Sequence, residues 1–73
     1  MPKLPVLSGA EVVKRLQRDG WRFSRQRGSH VVLLKPGSIA SISVPQHREV
    51  APGTLRAIIR TAGLTVEAFQ ELG

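Results

Sequence analysis

The sequence predicts an α+β fold: a helix, three short antiparallel strands, a second helix and a short third one. Two observations predict it. Apolar residues recur at helical spacing near both ends of the chain, and between residues 21 and 45 they alternate or run together in short segments. Only a few residues separate those segments, which suits hairpins and leaves no room for crossover helices.

Each element follows in order. Ser8-Gly9-Ala10-Glu11 reads as a capping box, with Ser at the N-cap and Glu three residues on. Val12, Val13 and Leu16 form an apolar stripe, Lys14, Arg15 and Arg18 fall on the other side, and Gly20 ends the helix, which is expected over about residues 9–19. Trp21-Arg22-Phe23-Ser24-Arg25 alternates and is expected to be a half-buried strand. Gly28 marks a turn, Val31-Val32-Leu33-Leu34 is the second strand, and Pro36-Gly37 breaks it. Ala40-Ser41-Ile42-Ser43-Val44 is the third strand, its serines facing away from Ala40, Ile42 and Val44, and Pro45 stops it. A second helix is expected over about residues 52–62, with Pro52 in its first turn, Leu55, Ile58, Ile59 and Ala62 buried, and Gly63 closing it. Thr65 caps a last helix bearing Val66, Phe69 and Leu72. Two helices with one apolar stripe each fit one face of a three-stranded sheet. That is the α-β-β-β-α sandwich of a double-stranded-RNA-binding-domain-like architecture.

At 73 residues the chain is expected to be a single domain spanning residues 1–73, too short for an enzyme with its own cofactor domain. A hydrophobic fraction of 41% argues for a folded chain. The absence of cysteine excludes a disulfide frame and a thiolate metal site. No apolar run approaches the roughly 18 residues of a membrane span, and residues 1–9 carry no apolar stretch of the signal type. A cytoplasmic location without membrane association is expected.

Charge points to a partner. Eleven Lys/Arg oppose five Asp/Glu, a formal net charge of +6. Lys14, Arg15, Arg18, Arg22, Arg25, Arg27 and Lys35 fall in one stretch opposed only by Asp19. Such a field attracts phosphate backbones, and arginine suits bidentate phosphate contacts. Within it lies Arg25-Gln26-Arg27-Gly28-Ser29-His30. Gly28 allows close approach of a ligand to the backbone, and Ser29 can bind a phosphate oxygen. His30, of a residue type that exchanges protons near neutral pH, is a candidate acid–base group. A surface or hydrogen-bonding role is the plainer alternative. The candidate RNA contacts are Lys14, Arg18, Arg25, Arg27, Gly28, Ser29 and Lys35. His47, in Val44-Pro45-Gln46-His47, reads as a loop or capping residue, with a supporting role beside His30 open if the second and third strands pair. Two histidines seventeen positions apart make a poor metal site, so neither metal nor cofactor is expected.

These motifs, taken together, resemble the HicA-type toxins of HicA/HicB toxin–antitoxin pairs. The resemblance rests on Ser8-Gly9, Asp19-Gly20-Trp21, Arg27-Gly28-Ser29-His30, Val44-Pro45-Gln46-His47, Gly53-Thr54-Leu55-Arg56-Ala57-Ile58-Ile59, Ala62-Gly63-Leu64 and Glu67-Ala68-Phe69. It runs from about residue 8 to the end, and Trp21 stands where the family usually has Phe. It implies a double-stranded-RNA-binding-domain-like fold, ribosome-independent cleavage of mRNA as an mRNA interferase, His30 as the catalytic residue, and inhibition by a HicB-type antitoxin. It does not establish a catalytic role for His47. The second helix opens with Ala51-Pro52-Gly53-Thr54 in place of a lysine-rich start, which argues against duplex binding. Val32 and Leu34, on His30's side of the strand by alternation, would give the antitoxin apolar surface to bury. The other class of reading is a non-catalytic RNA-binding module of the same fold, in which His30 stacks on a base or holds a phosphate.

Overall fold

In the computed structural model of the chain, which describes residues 3–73, Ser8 caps helix α1 (Gly9–Arg18) as the sequence predicts. Its hydroxyl accepts from the Glu11 N–H and the Glu11 carboxylate accepts from the Ser8 N–H. Three antiparallel strands follow, β1 (Arg22–Arg27), β2 (His30–Leu34) and β3 (Ser41–Pro45), in the order β1-β2-β3. Helices α2 (Pro52–Thr61) and α3 (Val66–Glu71) complete the chain. The α+β class, the element order and the antiparallel sheet agree with the sequence reading.

Alternation along β2 and β3 sets the layers. Val31, Leu33, Ile42 and Val44 are buried and face the helices, while His30, Leu34, Ser41 and Ser43 are exposed on the other side. All buried apolar side chains among the described residues form one cluster, in which Val12 and Leu16 of α1, Leu55, Ile58 and Ile59 of α2 and Phe69 of α3 meet the sheet. Phe69 is fully buried. Truncating such a ring costs about 3–5 kcal/mol, against a typical domain stability of about 5–15 kcal/mol, so the short α3 is a structural necessity. Two arginines of α1 hold it in place. Arg15 lies over the Phe69 ring at 5.3 Å and donates to the carbonyl of Phe69. Arg18 donates to the carbonyl of Leu72 at 2.7 Å. The bond to Leu72 satisfies a carbonyl that a helix C-terminus leaves without a partner, and the bond to Phe69 adds to the one its carbonyl accepts from the Leu72 N–H.

The first strand departs from the expectation of a half-buried element. Trp21 is buried, but it precedes β1, and every residue of β1 is exposed. Phe23 and Gln26, opposite the buried Leu33 and Val31, stay exposed on this edge strand, and a β-bulge changes the phase of the rest. Arg22 and Phe23 pair with Leu34 and Leu33, then the register shifts and Arg25, Gln26 and Arg27 pair with Val32, Val31 and His30, leaving Ser24 without a partner. Simple alternation would put Arg25 and Arg27 on the same face as Trp21. The extra residue moves them to the open face. Trp21 itself is buried with its indole N–H unpartnered, a cost of about 1–3 kcal/mol that a phenylalanine in its place would not carry.

Gly9 explains the Ser8-Gly9 start. A Cβ there would collide with the carbonyl oxygen of Pro45 and lie 2.8 Å from the Gln46 Cα, so only glycine lets α1 begin against the end of β3. The Gly9 N–H donates to the carbonyl of His47 at 2.9 Å. Gly9→Ala is expected to destabilise the protein by about 1–3 kcal/mol through overpacking, read from urea midpoints. Gly53→Ala, where a Cβ meets nothing within 4 Å, should leave the midpoint unchanged or raise it, and equal losses from both would refute the packing argument.

The capping box also predicts a pH effect. The Glu11 carboxyl is held below its ordinary value of 4.5, first by the hydrogen bond from the Ser8 backbone. A depressed carboxyl pKa contributes stability that is present above 4.5 and is lost as the pH falls through the folded value. Glu11→Gln should therefore lower stability at pH 7 and leave a shallower acid limb below pH 4.5 in denaturant titrations. An acid limb of undiminished slope would show that other carboxyls set it.

Candidate functional site

The open face of the sheet is built from three ranks of cross-strand partners. Arg27, His30 and Pro45 form one; Arg25, Val32 and Ser43 the next; Arg22, Leu34 and Ser41 the third. Neighbouring strands lie about 4.8 Å apart, so side chains in one rank touch or nearly touch. Each rank carries an arginine from β1. Arg25, Arg27, His30, Val32, Ser41 and Ser43 together line a shallow concavity of about 570 Å³.

Local structure fixes His30 at the start of the central strand. The β1–β2 loop is the pair Gly28-Ser29, with Gly28 at φ +58° and Ser29 on the ordinary side of φ, the pattern of a turn that needs glycine at its first central position. Arg27 and His30, which flank the turn, are therefore directly paired. On the far side the Gln46 N–H donates to the Ser29 carbonyl at 2.6 Å, extending the ladder past Pro45, which has no N–H to give. The Gln26 side chain donates to the Gly28 carbonyl at 3.2 Å. His30 is thus held by backbone bonds on both sides while its side chain stays exposed. A Cβ on Gly28 would meet nothing within 4 Å, so the glycine serves the turn's backbone and leaves open space around it.

The structure brings together Arg25, Arg27, Gly28, Ser29 and His30 and separates the other candidates from them. Lys14 and Arg18 lie on α1, in the helix layer, beside Glu11, Arg15 and Gly73. Lys35 sits past the opposite end of β2, where its Nζ is 3.3 Å from the Asp19 carboxylate and 5.9 Å from the Trp21 ring centre. His47 is exposed beyond the end of β3 and does not line the concavity. Strands β2 and β3 do pair, but His30 is opposite Pro45 and His47 lies two residues further on. Sequence reasoning passed over Arg22, Ser41 and Ser43 as site residues. The alternation of β3 did signal the serines, whereas Arg22 joins Arg25 and Arg27 only because of the bulge.

Among the described residues the single ion pair is Lys35–Asp19, so no carboxylate neutralises Arg22, Arg25 or Arg27. Nor do three or more His, Cys, Asp or Glu side chains come together there. No helix among the described residues is long and apolar enough to cross a membrane. The arrangement offers an imidazole at a rigid strand start, unpaired guanidinium groups on one side of it and hydroxyls on the other. It suits an anionic, extended ligand.

Comparison with known proteins bears on the fold and the family. The chain is similar to a solved toxin–antitoxin complex from Streptococcus pneumoniae, at 36% sequence identity and a TM-score of 0.71, over 80% of this chain and 98% of that one. No curated protein matches it. Residues 9–64 match the family described as the HicA toxin of bacterial toxin-antitoxin. That stretch takes in α1, the whole sheet and α2, and on it the chain belongs to the HicA toxin family.

Proposed function

We propose that this protein is an RNA-cleaving toxin that binds single-stranded RNA across the open sheet face and uses His30 for proton transfer. The observation that carries the reading is the rank Arg27–His30 beside Arg25, on a face that carries no carboxylate. RNA brings its own nucleophile. A base takes the proton from a 2′-OH, that oxygen bonds to the adjacent phosphorus, the bond to the 5′-oxygen breaks, and the leaving oxygen takes up a proton. The products end in a 2′,3′-cyclic phosphate and a 5′-OH. Arg25 and Arg27 offset the charge that builds on the phosphorane oxygens, and the space around Gly28 admits the phosphate. His30 supplies one of the two proton transfers, help worth about 10²–10⁴-fold. No second imidazole lines the concavity, so we assign the other transfer to water.

Lys14 and Arg18, in the helix layer, add to the field that draws RNA in without touching it on this face. A HicB-type antitoxin silences the toxin by covering the same ground, burying Val32 and Leu34 and countering the arginines. The similarity to a toxin–antitoxin complex supports such a partner.

His30→Ala should abolish cleavage of RNA while leaving the circular dichroism spectrum unchanged. Wild-type cleavage should persist in EDTA, spare an all-deoxy strand and leave cyclic phosphate ends. Full cleavage by the folded variant, or equal cleavage of DNA, would sink the assignment.

Binding offers an independent check. Arg25→Ala and Arg27→Ala should each lower the slope of log affinity against log salt by about 0.7 for a single strand, and Lys14→Ala should leave it alone. In the same anisotropy assay a HicB-type antitoxin should displace RNA competitively. A stable ternary complex would show that it binds elsewhere.

A further inference from the structure

The open face runs in parallel lanes. Every rank has an arginine on β1; β2 supplies His30 and then the apolar Val32 and Leu34; β3 supplies Pro45 and then Ser43 and Ser41. The rank Arg25–Val32–Ser43 is the next one along from His30, about 6.6 Å away at about 3.3 Å per residue, and all of its side chains line the His30 concavity. Val32 is half-buried and Ser43 exposed. Other hydroxyls serve the fold: those of Ser8, Ser38 and Thr65 each accept from a backbone N–H. Among the described residues no side-chain hydrogen bond involves Ser43, so its hydroxyl is free for a ligand. Proton transfer at His30 does not use it.

A nucleotide presents the same sequence of groups as this rank: an anionic phosphate, an apolar base face and a polar base edge. Arginine only donates hydrogen bonds and matches phosphate geometry. Val32 offers apolar contact to the face of a base. The serine hydroxyl donates or accepts, so it can meet either kind of group on a base edge. From β1 to β3 is two strand spacings, about 9.6 Å, which gives one nucleotide room to lie across the sheet. Only an unpaired base has its pairing edge free for such a contact, which fits a single strand. We propose that the rank Arg25–Val32–Ser43 holds the nucleotide next to the scissile phosphate, its phosphate at Arg25, its base over Val32 and its base edge hydrogen-bonded to the Ser43 hydroxyl. The inference rests on RNA binding across the open face as proposed above, but not on cleavage.

The test uses the full chain with His30→Ala, so that RNA survives, and fluorescence anisotropy against two probes of equal length. One is oligouridine; the other is an abasic ribose-phosphate strand. In that background Ser43→Val removes the hydroxyl and keeps a side chain suited to a strand. It should weaken oligouridine about threefold to tenfold, the scale of one neutral hydrogen bond, and leave the abasic strand unaffected. Ser43→Thr, with the shape of valine but a hydroxyl, should bind oligouridine as the Ser43 chain does. Neither variant should change the slope of log affinity against log salt, since no charge is lost. Circular dichroism checks that each variant is folded. Unchanged affinity of Ser43→Val for oligouridine, an equal loss on the abasic strand, or threonine failing as valine does would each overturn the proposal. The RNA-binding reading is judged on the parent His30→Ala chain. If that chain binds neither probe, the reading falls and the subsite with it; if it binds both and Ser43→Val changes nothing, the subsite alone falls.

Discussion

A chain this short has enough apolar side chains to cover one face of a three-stranded sheet, and that shortage governs the rest of the structure. Val31, Leu33, Ile42 and Val44 take all the cover that α1, α2 and α3 provide. The other face is left open to water. Its residues are free of packing demands, so arginines, serines and a histidine can stand there at little cost to stability. The residues beneath are free of functional demands. Backbone hydrogen bonds on both sides of His30 connect the two layers, because a side chain at the start of a central strand inherits the rigidity of the core under it.

Much of this was legible in the sequence, for identifiable reasons. The capping box at Ser8 and Glu11 is a local device and reads locally. The strict alternation of β3 predicted both its buried and its open residues, and alternation along β2 placed Val32 and Leu34 on His30's side. What failed was β1. Its letters alternate, but an unpaired residue at Ser24 reverses the phase, and a bulge depends on the partner strand rather than on the strand's own pattern. Single-strand periodicity therefore put Arg25 and Arg27 on the wrong face, and it could not show that Phe23 and Gln26, opposite buried partners, stay exposed on an edge strand. The separation of Lys14 and Arg18 from Arg25 and Arg27 was hidden for a related reason: charge was read along the chain, and the sheet and helix layers divide it in space.

The arginines show how one residue type serves two ends. Arg15 and Arg18 spend their hydrogen bonds on the carbonyls at the end of α3, where a fixed cation complements the negative end of a helix. Arg22, Arg25 and Arg27 meet no carboxylate among the described residues. The first pair holds the fold together and the second group presents charge. Net charge of +6 therefore overstates the part of the surface that is offered to a polyanion, since cations engaged with backbone carbonyls keep their long-range field but lose their freedom to form close phosphate contacts.

The bulge bears on how related chains should be aligned. Ser24 is the one residue of β1 that the pairing does not use, so a chain lacking it can keep Arg22 opposite Leu34 and Arg25 opposite Val32. A gap at this position preserves the arginine face, whereas an ungapped alignment to a chain with a regular strand would set Arg25 against a residue that points to the helices. Distance in residues from Trp21 is thus a poor guide to which side chain of β1 stands on the open face. Counting ranks across the sheet is the better measure.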